Sequence, residues 1–268
     1  MPRASESPHP SDRATRRSSL LSEVSGVDHG FTGRRDARVE GELHLAPRPA
    51  YPEVTEAVLA QNWAAAIRPH RVEQLTVVSQ VHGRVVHVDR AATGPTHPAG
   101  EGDALVSTRP GVVVAVRVAD CVPVLLAALH DGRAVGVAAV HSGWRGTAVG
   151  IVGAAVEELS VATSVRASGM VAAIGPSICG HHYEVGDEVV TALESTGVPA
   201  SAFVVGTSPR GRPLVDVASA VAYQLTMAGV AAVDRLPGCT YEDPDLWSHR
   251  RDGDMGGRQA AWITRASC

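Results

Sequence analysis

Between Val112 and Val140 the chain carries three apolar runs in close succession: Val112 to Val118, Val124 to Leu129 and Ala134 to Val140. Each lacks the polar alternation of a strand with one wet face, so each predicts a strand buried on both sides. A sheet of that kind must be covered. The third run leads through His141-Ser142-Gly143-Trp144-Arg145-Gly146-Thr147 into a helical pattern of Ile151, Val152, Ala155, Val156 and Leu159, which predicts a strand, a glycine-bearing turn and a helix. Only 4% of residues are aromatic, so the interior is filled by Ala, Val, Leu and Ile, a composition suited to strands flanked by helices.

Outside this centre, Pro52 to Ile67 predicts an amphipathic helix and Leu75 to Val78 a strand. Val85 to Val88 predicts a second strand, with Gln80 to Gly83 as a tight connection between the two. Val171 to Ile174 and Ala261 to Ile263 read as strands, and Asp187 to Leu193 and Asp216 to Met227 as helices. Residues 1–24 are rich in Ser, Pro and Arg without hydrophobic periodicity, so they predict a flexible tail preceding one domain over residues 25–268.

With 44% hydrophobic residues, 19% charged and a net charge of -4, the composition is that of a globular protein. All 24 basic residues are Arg, and no dense run of them predicts a nucleic-acid surface. No segment approaches the roughly 20 apolar residues that span a bilayer, so no membrane partner is expected. Cys121, Cys179, Cys239 and Cys268 are too scattered for a disulfide framework, which predicts a reducing, cytoplasmic setting. Oligomeric state leaves no signature.

His82 in Gln80-Val81-His82-Gly83, Cys121 in Ala119-Asp120-Cys121-Val122-Pro123 and His141 each stand at or just past a strand end, where a side chain leaves the sheet and faces a cleft. Two imidazoles and a thiolate suit Zn²⁺ with a fourth position for water. Taken singly, each His also fits an ordinary polar site, and Cys121 an inert small core residue. Activated by His141, with Asp120 orienting the pair, Cys121 fits a nucleophile instead. Gly143, Arg145, Gly146 and the following helix start suit an oxyanion, or simply a cap with Trp144 packed on the core. Gly33-Arg34-Arg35 and Ser248-His249-Arg250-Arg251, with Arg258 beyond, suit either solvated loops or a phosphate or ribose clamp. Phosphate-loop, HExxH, deaminase-type zinc and Gly-x-Ser-x-Gly motifs are absent from the sequence.

Six ordered blocks run QVHG at residue 80, ADCVPVLL at 119, HSGWRG at 141, IGP at 174, YEVG at 183 and CTYxDP at 239. Together they resemble the laccase-domain family, first described as multicopper polyphenol oxidases and now as purine nucleoside phosphorylases. The resemblance implies an α/β (α+β) single domain with β-sheets sandwiched between helix layers, similar to cysteine-hydrolase toxins. It also implies a metal site at His82, Cys121 and His141. The implied activities are phosphorolysis of adenosine, inosine, guanosine and methylthioadenosine, and deamination of adenosine, with purine nucleosides and inorganic phosphate as small-molecule partners.

Zinc is the expected ion and copper the alternative. Zinc would bring the pKa of water from about 15.7 towards about 7, worth on the order of 12 kcal/mol, which suits attack on C6 of adenosine. Cys121, Asp120 and Arg145 are the expected catalytic residues. Arg34, Gln80, Gly146, Tyr183, Arg250 and Arg258 are expected with Arg145 to contact nucleoside or phosphate. The alternatives are a copper polyphenol oxidase, which needs more paired His than His181-His182 supplies, a hydrolase editing peptidoglycan precursors, and a non-catalytic zinc-binding module.

Overall fold

The computed structural model describes residues 15–266. In chain order it opens with β1 (Thr15–Arg16), α1 (Ser19–Ser22), β2 (Val27–Thr32), α2 (Glu56–Ala66), β3 (Leu75–Thr76), β4 (Val86–Val88) and β5 (Ala104–Ser107). The three central runs become β6 (Val113–Val118), β7 (Val122–His130) and β8 (Arg133–Ser142). There follow α3 (Trp144–Ala148), α4 (Ile151–Thr163), β9 (Met170–Ile174), α5 (Asp187–Glu194), β10 (Val204–Thr207) and β11 (Pro213–Val215). The chain closes with α6 (Val217–Met227), β12 (Ala232–Arg235), α7 (His249–Asp252) and β13 (Gln259–Arg265).

Two sheets form, in the orders β1-β2-β13-β6-β3 and β12-β9-β7-β8-β5-β4, with β10 and β11 as a separate hairpin. The doubly apolar runs explain the layering. Along β6, Val114 and Val116 face the second sheet while Val113 and Ala115 face the layer containing α2. Along β7, Leu125 and Ala127 pack between the sheets, whereas Val124, Leu126 and Ala128 pack beneath α4 and α6. The mixed α/β domain is therefore four layers deep: helix, sheet, sheet, helices.

Three sequence expectations are corrected. The strands β3 and β4 do not pair with each other; they lie in different sheets, pairing with β6 and β5. The segment Gln80–Gly83 thus crosses between sheets. The helix predicted from Pro52 begins at Glu56, because the Thr55 hydroxyl caps it by accepting from the Val58 amide.

The flexible tail expected over residues 1–24 does not reach as far as residue 24. Its residues 1–14 lie outside the described region, but β1 pairs antiparallel with β2 and Leu21 is fully buried. Ser18 anchors the segment, its amide donating to His29 Nε2 at 2.9 Å and its hydroxyl to Asp234 at 2.6 Å. These anchors are too short to produce a periodic sequence signal.

This docking has a pH signature. Burial, with Arg17 adding to it, holds the His29 imidazole down at about 4. The unfolded chain therefore binds the extra proton first, and this contribution is present above about pH 6.5 and lost as pH falls towards about 4. A difference of about 2.5 units corresponds to about 3 kcal/mol. Urea unfolding of His29→Gln, which keeps an acceptor for Ser18, is expected to show a shallower loss of stability between pH 6.5 and 4 than wild type. Equal slopes in the two proteins would remove His29 as the cause.

Candidate functional site

Two of the sheet-to-sheet crossings deliver a donor to one place. His82 lies on the crossing from β3 to β4, and Cys121 on the crossing from β6 to β7. His141 lies near the end of β8 beside Pro123 of β7. Cys121 Sγ is 3.7 Å from His82 Nε2, and the His82 and His141 rings meet edge to face at 4.8 Å. Donor atoms of all three side chains lie within 4.8 Å of one another.

The backbone is bent to achieve this. His82 has φ 61° and Asp120, next to Cys121, has φ 84°, left-handed conformations that non-glycine residues rarely occupy. Asp120 is held there by its carboxylate, which accepts from the Thr240 hydroxyl and the Arg250 amide, both at 2.6 Å. Gly143 completes the cradle. A Cβ at that position would stand 2.8 Å from His82 Cδ2 and 2.9 Å from Cys121 Sγ, so a side chain there would occupy the space the donors enclose.

Asp103, fully buried, fixes the imidazole and the loop together. Its carboxylate contacts His141 Nδ1 at 2.8 Å and accepts from the amides of Val81, His82 and Gly83 at 3.3, 3.0 and 2.7 Å. With Nδ1 committed to the carboxylate, Nε2 is left to face Cys121. Burial opposes charge on the Cys121 thiol, yet the facing His141 and His82 carry it down to about 6. Burial likewise opposes charge on His141, while Cys121 and Asp103 lift it to about 9. The arrangement favours a thiolate, the form that ligates metal. Two nitrogens and one sulfur match a three-ligand zinc site, and Asp103 is the carboxylate such a histidine requires.

The donors line a cavity of about 660 Å³ whose wall also includes Arg48, Arg117, Arg145, Arg250 and Arg258. None of these five pairs with a carboxylate within 4.0 Å among the described residues. Arg117 is pushed down by burial and by neighbouring Arg258, and Arg258 by burial and by Arg48. Guanidinium groups crowded together without a carboxylate partner within that distance attract an oxyanion. Arg145 lies over the Trp144 ring at 4.4 Å and Arg250 over Tyr183 at 4.9 Å, giving the wall two aromatic surfaces. A second hollow of about 580 Å³, beside α5 and β10, carries one carboxylate, Asp187, and no imidazole or thiol.

His82, Cys121, His141, Gln80, Asp120, Arg145, Tyr183, Arg250 and Arg258 all line the cavity. Gln80 also spends both ends of its amide on the Arg117 backbone, at 2.7 and 2.8 Å. Two expected contacts fall elsewhere. Arg34 pairs with Glu42 at 2.6 Å and stacks on Trp247 at 4.2 Å, so its charge and its flat face are engaged away from the cavity. Gly146 is a buried residue of α3 itself, where a Cβ would approach Ile151 and the Gly83 and His141 carbonyls at 3.3–3.6 Å. Its smallness serves packing. The expected role of Asp120 in orienting the Cys121–His141 pair belongs to Asp103, since both Asp120 oxygens hold Thr240 and Arg250. Arg48 and Arg117 were missed because Arg117 sits inside a strand pattern and Arg48 stands in a loop far from any motif.

The model of the family described as multi-copper polyphenol oxidoreductase laccase matches residues 29–266. The chain is 36% identical over 243 residues to a Deinococcus radiodurans protein named purine nucleoside phosphorylase, covering 88% of each. It is 40% identical over 246 residues to a Streptomyces griseus protein of the same description, covering 90% of this chain and 95% of that one. The crystal structure of YlmD from Geobacillus stearothermophilus superposes with a TM-score of 0.77 at 28% identity, covering 91% of this chain and 94% of the other. No helix among the described residues is long and apolar enough to cross a membrane. On sequence match and fold alike, the chain belongs to the multi-copper polyphenol oxidoreductase laccase family.

Proposed function

We propose that the chain is a zinc-dependent purine nucleoside phosphorylase acting on adenosine, inosine, guanosine and methylthioadenosine, with a second activity as an adenosine deaminase, in a reducing cytoplasm. The observation that carries this proposal is the meeting of His82, Cys121 and His141 in a cavity walled by five arginines that have no ion-pair partner among the described residues. The relatives' name, purine nucleoside phosphorylase, supports the phosphorolysis. Zinc held by the three donors would supply Lewis acidity and bring water's pKa towards neutrality.

The remaining work falls to the chain's own residues. Phosphorolysis breaks the N9–C1′ bond and joins C1′ to a phosphate oxygen, so phosphate must be held beside the sugar. Arg48, Arg117 and Arg258 supply a fixed positive wall for it, and Arg145 and Arg250 extend that wall. Trp144 and Tyr183 offer flat faces to a purine. Asp103 keeps His141 oriented, and Asp120 keeps α7, with Arg250, against the cavity. In deamination, water replaces the C6 amino group and ammonia leaves, with no call on phosphate.

Arg258→Ala is expected to raise KM for phosphate about 10- to 100-fold, the worth of one charge-assisted contact, while leaving inosine formation from adenosine nearly unchanged. A proportional fall in both activities would move Arg258 out of the phosphate role. To test the function itself, each of the four nucleosides is incubated with metal-replete protein with and without phosphate. Free base is expected only with phosphate, and inosine from adenosine in either case. Metal analysis of the same preparation separates zinc from copper. Failure to form either product would discard both activities.

A second reading has its own observation: Cys121, His141 and Asp103 also form a thiolate, imidazole and carboxylate series suited to a nucleophile. It excludes the metal reading, because a ligating sulfur cannot attack. Iodoacetamide distinguishes the two. Zinc is expected to protect Cys121 from alkylation, whereas a nucleophilic Cys121 would be modified and inactivated regardless of zinc.

A further inference from the structure

On the side of the domain where β9 and β12 end, a second set of donors converges that the proposed activity does not use. Cys179 and His182 come from the loop after β9, and Cys239 and Glu242 from the loop after β12, in the paired spacings Cys-x-x-His and Cys-x-x-Glu. All four donor atoms lie within 4.8 Å of one another. His182 Nδ1 lies 3.3 Å from Cys179 Sγ, 3.8 Å from Cys239 Sγ and 3.3 Å from Glu242 Oε1. Zinc binds sulfur at about 2.3 Å and nitrogen or oxygen at about 2.0–2.2 Å, so tetrahedral donors around it stand about 3.3–3.8 Å apart.

We infer that Cys179, His182, Cys239 and Glu242 form a second, structural zinc site. Four protein donors close the coordination shell, as in sites that hold structure rather than bind substrate. Cys239 is buried, Cys179 and His182 are half-buried, and only Glu242 is exposed. The His182 ring is steadied by stacking on Tyr241 at 4.7 Å. The two loops already touch through a bridge between Ser177 and Cys239 and through the Thr240 amide donating to the Ser177 carbonyl at 3.1 Å.

An ion there would fasten the loop bearing Tyr183 to the loop bearing Thr240, whose hydroxyl holds Asp120. The second site thus braces one wall of the cavity without entering it. Its donors reach no group that reacts.

The test is a metal count on folded protein purified under reducing conditions. Wild type is expected to hold two zinc ions per chain and Cys121→Ala one. In the Cys121→Ala background, cobalt(II) is expected to give sulfur-to-cobalt charge-transfer absorption. Cys239→Ser should abolish that absorption, and Glu242→Ala, at an exposed position, should weaken metal binding at least tenfold. Chelation of Cys121→Ala is also expected to lower its Tm. A folded Cys121→Ala protein that binds neither zinc nor cobalt would overturn the inference. So would peptide mapping that finds Cys179 and Cys239 joined as a disulfide in freshly alkylated protein.

Discussion

Cys121→Ala is expected to lower kcat/KM for phosphorolysis at least a thousandfold, about 4 kcal/mol of transition-state stabilisation, and to remove one equivalent of metal. The sulfur is the one soft, anionic donor of its cluster, held near two imidazoles that favour the thiolate. Removing it leaves two neutral nitrogens, too few to hold zinc against water. The fold should survive, since Cys121 is half-buried in a turn whose shape is set by Asp120, Thr240 and Arg250. Steady-state kinetics, metal analysis and thermal unfolding of one preparation decide the matter. A Cys121→Ala protein with wild-type metal content and less than tenfold loss of activity would show that the sulfur is a bystander.

Asp103→Ala should be the most destabilising single change at the site. It strips the acceptor from three backbone amides and from His141 Nδ1 at once, in a place with no exposure to water. Breaking a buried charged network of this kind costs about 3–5 kcal/mol, which for a chain of this size corresponds to a fall of about 10 °C in Tm. The effect should extend to the metal. Without the carboxylate the His141 ring loses its fixed orientation, and zinc affinity is expected to fall about 10- to 100-fold. Asp103→Asn should fall between, because an amide offers one acceptor oxygen where the carboxylate has two. If Asp103→Ala matched wild type in both Tm and zinc affinity, the carboxylate would have no part in holding the site.

The central strands were legible because apolar runs without polar alternation leave a chain few ways to hide both faces. His82, Cys121 and His141 were legible as residues at the ends of such runs, and the six ordered blocks tied them to a family. Asp103 was not legible. It stands just before β5, a strand four residues long, and one carboxylate in a glycine-bearing loop looks like any other. Its importance comes from long-range contacts, with partners 20 to 22 residues upstream and 38 residues downstream. Arg117 was hidden for a related reason, since an arginine within an apolar strand reads as an interruption rather than as a side chain turned into a cavity. The layering of two sheets was implied only by resemblance, because periodicity shows that a strand is covered on both faces and not by what. The docking of residues 15–24 rests on Leu21 and a few polar anchors, which leave no periodic trace.

The phosphate dependence of adenine release from adenosine, measured on zinc-stripped and zinc-restored protein, probes the proposed chemistry most directly. Stripped protein should release no adenine at any phosphate concentration, and zinc should restore a rate that saturates with phosphate, yielding one ribose 1-phosphate per adenine. Adenine release that persists after stripping, or that proceeds equally well without phosphate, would contradict a metal-supported phosphorolysis in this cavity.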